Sequence, residues 1–144
     1  MPKKNRDAPY DPDPSDPLER PLFVSPVTAG FPSPAEHAIE GKLDLNKHLI
    51  QHPAATFFVR VTGESMIDAG IHPGDIAIVD RSLEPVDRKV VIAVLDGELT
   101  IKRLRIKDGE WTLLPENKHF EPVRITDEMA FEIWGVVTSV IHLL

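Results

Sequence analysis

From Thr56 onward the chain alternates between short runs of β-branched, aromatic and aliphatic residues and short polar breaks. FFVRV, DIAIVD, KVVIAVLD, LTIKRLRI, EWTLLP and FEIWGVVTSVIHLL each have the length and composition of a strand, with Gly, Pro, Asp or Asn between most of them. Asp96-Gly97 and Asp108-Gly109 are two-residue breaks of the kind that close tight hairpins. No long run of helical period interrupts the series. The pattern therefore predicts a mainly β fold, a compact antiparallel domain over residues 53–144.

The first part of the chain follows a different grammar. Nine of the 14 prolines lie at or before Pro34. Residues 1–21 mix acids and bases without hydrophobic periodicity, which predicts a disordered, proline-rich tail. Residues 22–52 are expected to form an arm with short helices. PLFVSPVTAGFPSP (21–34) is apolar but broken by prolines, which favours extended chain over a core strand. Ser33-Pro34-Ala35-Glu36 has the form of a capping box with proline at the first helical position, and predicts a short helix to Glu40 closed by Gly41. Asp44 is placed to cap a second helix over LNKHLIQ, which must stop before Pro53.

Composition narrows the function classes. At 144 residues the chain has room for one domain plus a tail. The net charge of −7 argues against a protein that grips a nucleic-acid backbone. The one dense basic run is IKRLRIK. In a strand, Arg103, Arg105 and Lys107 share one face, read as a solvated face, while Lys102 points to the other. Direct sequence-specific DNA binding is not expected. No stretch approaches the roughly 20 apolar residues of a membrane span, and no apolar run follows the basic N-terminal residues as in a secretory signal. No membrane association and a cytoplasmic location are therefore expected. The absence of cysteine excludes disulfides, thiolate catalysis and cysteine-bound metal.

Candidate chemistry centres on Ser65, where a β-type run gives way to a turn in VTGESMIDAGIHPGDIAIVD. A serine there can cap, turn or attack, and attack needs a neighbouring base. None of the six histidines sits in a motif that names it, and GESMI is not the G-x-S-x-G elbow. His48 and His52 in HLIQH could chelate a metal on one helix, but no glutamate follows the first histidine, so the zinc-protease signature is absent. No metal and no cofactor are expected. A lysine base must be neutral near pH 7 although free lysine titrates near about 10.4, which requires burial among apolar groups. Lys102 suits this best, beside Leu99, Ile101 and Leu104 and just after the Asp96-Gly97 hairpin. On pattern alone, an exposed lysine remains the commoner outcome.

GESMIDAGIHPGDIAIVD followed by DGELTIKRL resembles the Ser-Lys self-cleaving peptidases of the LexA/UmuD family, whose pattern is G-[DE]-S-M, a G-D-[ILV] turn, then D-G-x-x-T-[IV]-K. The resemblance covers about residues 21–144. It implies Ser65 as nucleophile and Lys102 as general base. It also places the serine at the start of a short helical turn, Met66-Ile67-Asp68, whose free N–H groups could stabilise an oxyanion. Gly63 and Met66 would support that turn, Met66 by packing. The family cuts its own chain between a small residue and glycine, which implies Ala29-Gly30, with Val27 for an apolar pocket.

Within the family, TAGFPSPA, LDLN, LIQHPAATFFV and GESMIDAGI are most similar to the UmuD branch. The 29 residues before Gly30 are too few, and lack the period, for a helix-turn-helix domain. The acidic, proline-rich extreme N-terminus departs from the family pattern. The resemblance implies a homodimer, cleavage stimulated by RecA filaments on single-stranded DNA, and a UmuC-type polymerase partner in SOS translesion synthesis. Two alternatives stay open: a non-cleaving binding module with a vestigial dyad, and a signal-peptidase-like enzyme acting in trans.

Overall fold

The computed structural model describes residues 17–24, 26–32 and 38–144. The chain divides into two compact units, Met1–His48 and Leu49–Leu144.

In the first unit, β1 (Glu19–Phe23) pairs antiparallel with β2 (Ile39–Asp44). Glu19–Pro21 are thus in a strand, although the sequence placed them in a tail. A proline is tolerated because a two-stranded sheet consists only of edges. Most side chains of both strands are exposed, as expected for an arm rather than a core. The predicted helix ending at Glu40 is corrected: Glu40 and Gly41 belong to β2, where Gly41 pairs with Leu22 and Ile39 with Phe23. Its proposed cap at Ser33–Glu36 lies outside the described residues. Asp44 does begin the next helix, α1 (Leu45–Leu49), accepting the Asn46 N–H at 3.0 Å.

The second unit is one seven-stranded antiparallel sheet. Its strands are β3 (Thr56–Arg60), β4 (Ile76–Asp80), β5 (Val90–Leu95), β6 (Glu98–Lys107), β7 (Glu110–Leu114), β8 (Val123–Arg124) and β9 (Phe131–Ile141). Their order across the sheet is β3-β4-β9-β5-β6-β7-β8. The six runs read from the pattern are all strands. Both Asp-Gly breaks are tight hairpins with positive φ at each central residue: 50° and 83° at Asp96-Gly97, 52° and 75° at Asp108-Gly109.

The last strand, β9, inserts between β4 and β5. To pair on both sides it is bulged twice, leaving Thr138 out of register with β4 and Trp134 out of register with β5. Between the bulges, Gly135 passes so close to β4 that a Cβ would lie 2.7 Å from Val79 Cγ1 and 3.1 Å from the Asp80 carbonyl oxygen. Two apolar clusters consolidate the sheet. Val61, Met66, Ile71, Ala77, Val79, Ile92 and Ile101 form one. Val91, Leu104, Leu113 and Val136 form the other. Among the described residues no helix is long and apolar enough to cross a membrane.

Candidate active site

The loop from Val61 to Asp75 joins β3 to β4 and carries Ser65. Its ends are clasped together, with the Val61 N–H donating to the Asp75 carbonyl and the Gly74 N–H to the Val61 carbonyl, both at 2.8 Å. Gly63 takes φ 79°, a left-handed turn that a side chain would strain. Met66 is 1% exposed and belongs to the first core cluster, so the residue after the serine anchors the turn in the core. A short 3₁₀ turn, Ile67–Ala69, follows and closes at Gly70 with φ 78°.

Lys102, in the middle of β6, meets this turn. Its Nζ lies 2.8 Å from Ser65 Oγ, 3.0 Å from Thr100 Oγ1 and 3.0 Å from the Ile101 carbonyl oxygen. These three acceptors match the three hydrogens of an ammonium. After loss of one proton, the amine can still donate to Thr100 and Ile101 while its lone pair accepts the Ser65 hydroxyl. None of the three partners is charged, so nothing offsets desolvation, and burial holds the Lys102 pKa below that of free lysine. The arrangement places the Ser65 hydroxyl within hydrogen-bond reach of a lysine amine whose burial favours its neutral form. A cleft of about 210 Å³ opens beside it, lined by Val59, Thr62, Ser65, Leu99, Thr100 and Lys102 among others.

The sequence reading is refined at the oxyanion position. The Ile67 N–H is directed to the Glu64 carbonyl at 3.4 Å and the Asp68 N–H to the Glu116 carbonyl at 2.8 Å. Among the described residues, the Ser65 and Met66 N–H groups have no such partner, so the available donors start at the serine itself.

Four supporting residues were not singled out for this role from sequence. Thr100, two positions before Lys102 on the same strand, holds the amine from the same face. It lies within the quoted D-G-x-x-T pattern and was legible there. Glu116 donates its N–H to the Ser65 carbonyl at 2.8 Å, and Asn117 Nδ2 donates to the Glu64 carbonyl at 2.9 Å. Arg103 Nε pairs with the Glu116 carboxylate and its Nη1 donates to the Arg88 carbonyl at 2.6 Å. Nothing local in PENKH signals a clamp. Its role follows from how β7 and β8 are connected.

Ala29 and Gly30 lie in the first unit and are exposed. The chain there is bent rather than extended, with Thr28 Oγ1 donating to the Phe31 carbonyl at 2.6 Å across the Ala29-Gly30 bond. Val27 is 95% exposed. His48 and His52 do not share a helix, because α1 stops at Leu49, and His52 Nδ1 is bonded to the buried Asp80 carboxylate.

Comparison with known proteins gives a consistent result. A family model described as Peptidase S24-like matches residues 21–138. The protein SamA of Salmonella typhimurium is 48% identical over 122 residues, covering 85% of this chain and 84% of the relative. The protein ImpA of Escherichia coli is 46% identical over 140 residues, covering 93% and 91%. A LexA repressor of Clostridium perfringens is 38% identical over 105 residues, covering 73% of this chain and 52% of the repressor.

Proposed function

The chain belongs to the Peptidase S24-like family, and from that premise we propose that it cuts itself between Ala29 and Gly30 with Ser65 and Lys102. Ser65 Oγ attacks the Ala29 carbonyl carbon while neutral Lys102 takes the hydroxyl proton. The oxyanion that forms is met by the N–H groups of the serine turn. Collapse breaks the Ala29–Gly30 C–N bond, and Lys102 returns the proton to the departing Gly30 amine. Water activated by the same lysine then hydrolyses the ester on Ser65. The products have 29 and 144 − 29 = 115 residues.

The observation that supports this reading is the half-buried lysine amine 2.8 Å from the serine hydroxyl with only uncharged partners. The likeness to SamA and ImpA over more than four-fifths of the chain supports placing the product in the UmuD branch. In that reading the 115-residue product is a homodimeric accessory subunit of a UmuC-type polymerase in SOS translesion synthesis, and RecA filaments on single-stranded DNA stimulate cleavage.

The test is intact mass before and after mild alkaline incubation, and with activated RecA filaments. Wild-type protein should yield a fragment beginning at Gly30, and folded Ser65→Ala should yield none. An unchanged wild-type mass under both treatments would favour the non-cleaving binding module. A fragment from Ser65→Ala at the wild-type rate would remove Ser65 from the mechanism, and another N-terminus would refute the bond.

A further inference from the structure

Away from the serine and lysine, β4 and β9 place two more groups opposite each other. Ile76 pairs with Ile141 at the end of this ladder, so Asp75 and His142 are the next residues outward on the two strands. His142 Nδ1 is bonded to Asp75 Oδ1. The second carboxylate oxygen accepts the His72 N–H at 2.8 Å, which folds His72 back over the pair. The two imidazole rings stand 4.7 Å apart between centroids.

The polar bookkeeping of this cluster is incomplete. Asp75 is 2% exposed. His72 Nδ1 lies 3.8 Å from Asp75 Oδ2, is itself buried, and has no hydrogen-bond partner among the described residues. A buried imidazole nitrogen without a partner is costly. One proton can bridge His142 to the carboxylate, but it leaves the His72 nitrogen unserved. One ligand atom from each of the three residues lies within 4.8 Å of the other two. To share one ion with ligands at about 2.0–2.1 Å, the widest of these separations must close and the direct His142–Asp75 contact must open.

We propose that His72, Asp75 and His142 form a binding site for a divalent transition-metal ion of the zinc class. Two imidazoles and one carboxylate suit zinc, cobalt or nickel, and leave a fourth position for water. Calcium and magnesium, which favour all-oxygen shells, fit this set poorly. On binding through Nδ1, the ion displaces the His142 Nδ1 proton, and the outward Nε2 carries a proton in its place, so both imidazoles are neutral in the complex. The outer sides of both histidine side chains are open, 41% exposed for His72 and 44% for His142, so an ion has a path in. Its ligands lie at the foot of the Ser65 loop and just beyond β9, so the ion fastens that loop to the last strand. The role is structural, and none of the chemistry proposed for Ser65 and Lys102 passes through it.

The site is read without any cleavage assay. The full chain, stripped with a chelator and desalted, is titrated with zinc sulfate by calorimetry, and with cobalt(II) by visible absorption. About one equivalent should bind, cobalt should give the intense bands of a four-coordinate site, and zinc should raise the melting temperature. His72→Ala and His142→Ala should each lose that equivalent and the thermal shift, with circular dichroism confirming the fold. His48→Gln should keep both. No saturable binding by the wild-type chain overturns the proposal. So does an equivalent that survives in His72→Ala and His142→Ala but disappears in His48→Gln.

Discussion

Replacing Arg103 with glutamine tests whether the serine is held in place from the side. Arg103 follows Lys102 on β6, and its guanidinium reaches Glu116, whose backbone donates to the Ser65 carbonyl and accepts from Asp68. Arg103 and Glu116 side chains are 33% and 32% exposed, so the ion pair is partly solvated and worth no more than about 1 kcal/mol. For a domain of this size, that loss lowers the melting temperature by at most about 8 °C. A domain stable by about 5 kcal/mol or more would remain almost wholly folded after it. The effect on cleavage should be larger than the effect on stability, because a displacement of about 1 Å from the attack geometry costs about a hundredfold in rate. The expected outcome is self-cleavage slowed about ten- to a hundredfold, with a modest change in melting temperature. Cleavage would be followed by appearance of the 115-residue fragment, and stability by thermal denaturation. Because Arg103 also donates to the Arg88 carbonyl, Glu116→Gln isolates the ion pair. If the two residues act through one contact, the double variant should be no slower than the slower single variant. A wild-type rate in folded Arg103→Gln and Glu116→Gln would refute the clamp.

Two further outcomes follow from the same geometry. In the proposed mechanism cleavage needs the neutral amine, and burial lowers the Lys102 pKa. The rate should therefore rise with pH and level off below the range in which free lysine titrates, about 10.4. Lys102→Arg, which stays protonated, should be inactive across that pH–rate profile. Activity in the arginine variant would point to a different base. Gly135→Ala drives a methyl group against Val79 and the Asp80 backbone and should cost about 1–3 kcal/mol by overpacking, seen as a lower melting temperature. An unchanged melt would mean that β4 and β9 separate there at little cost.

The strands and hairpins of the second unit were legible because each is written locally. A β-branched run fits a pleated, half-buried surface, and Asp-Gly specifies a tight turn by its own backbone preferences. Where the pattern was misleading, tertiary pairing decided. Gly41 looked like a helix stop, yet it sits in β2 because Leu22 and Phe23 offer a partner strand. The two short strands of the arm and the two-residue β8 carried too little pattern to be seen. HLIQH had helical spacing on paper, but the helix ended too soon and His52 turned to Asp80.

Ser65 and Lys102 could each be nominated from their surroundings, but nothing local joins residues 37 positions apart. Their meeting depends on sheet order. β4 and β5 are consecutive in the chain, yet they are not neighbours, because β9 lies between them. That insertion needs a strand that pairs on both edges, and β9 manages it with two bulges and a glycine where the backbones crowd. With β9 in place, β4 holds the end of the serine loop on one side, and β5 presents β6, with its lysine, on the other. The clamp at Glu116 then needs β7 to follow β6 through the Asp108-Gly109 turn. The local chemistry is therefore set by two short motifs, while their encounter is set by the insertion of β9. A truncation that removes β9 should leave both motifs intact in sequence and bring neither to the other.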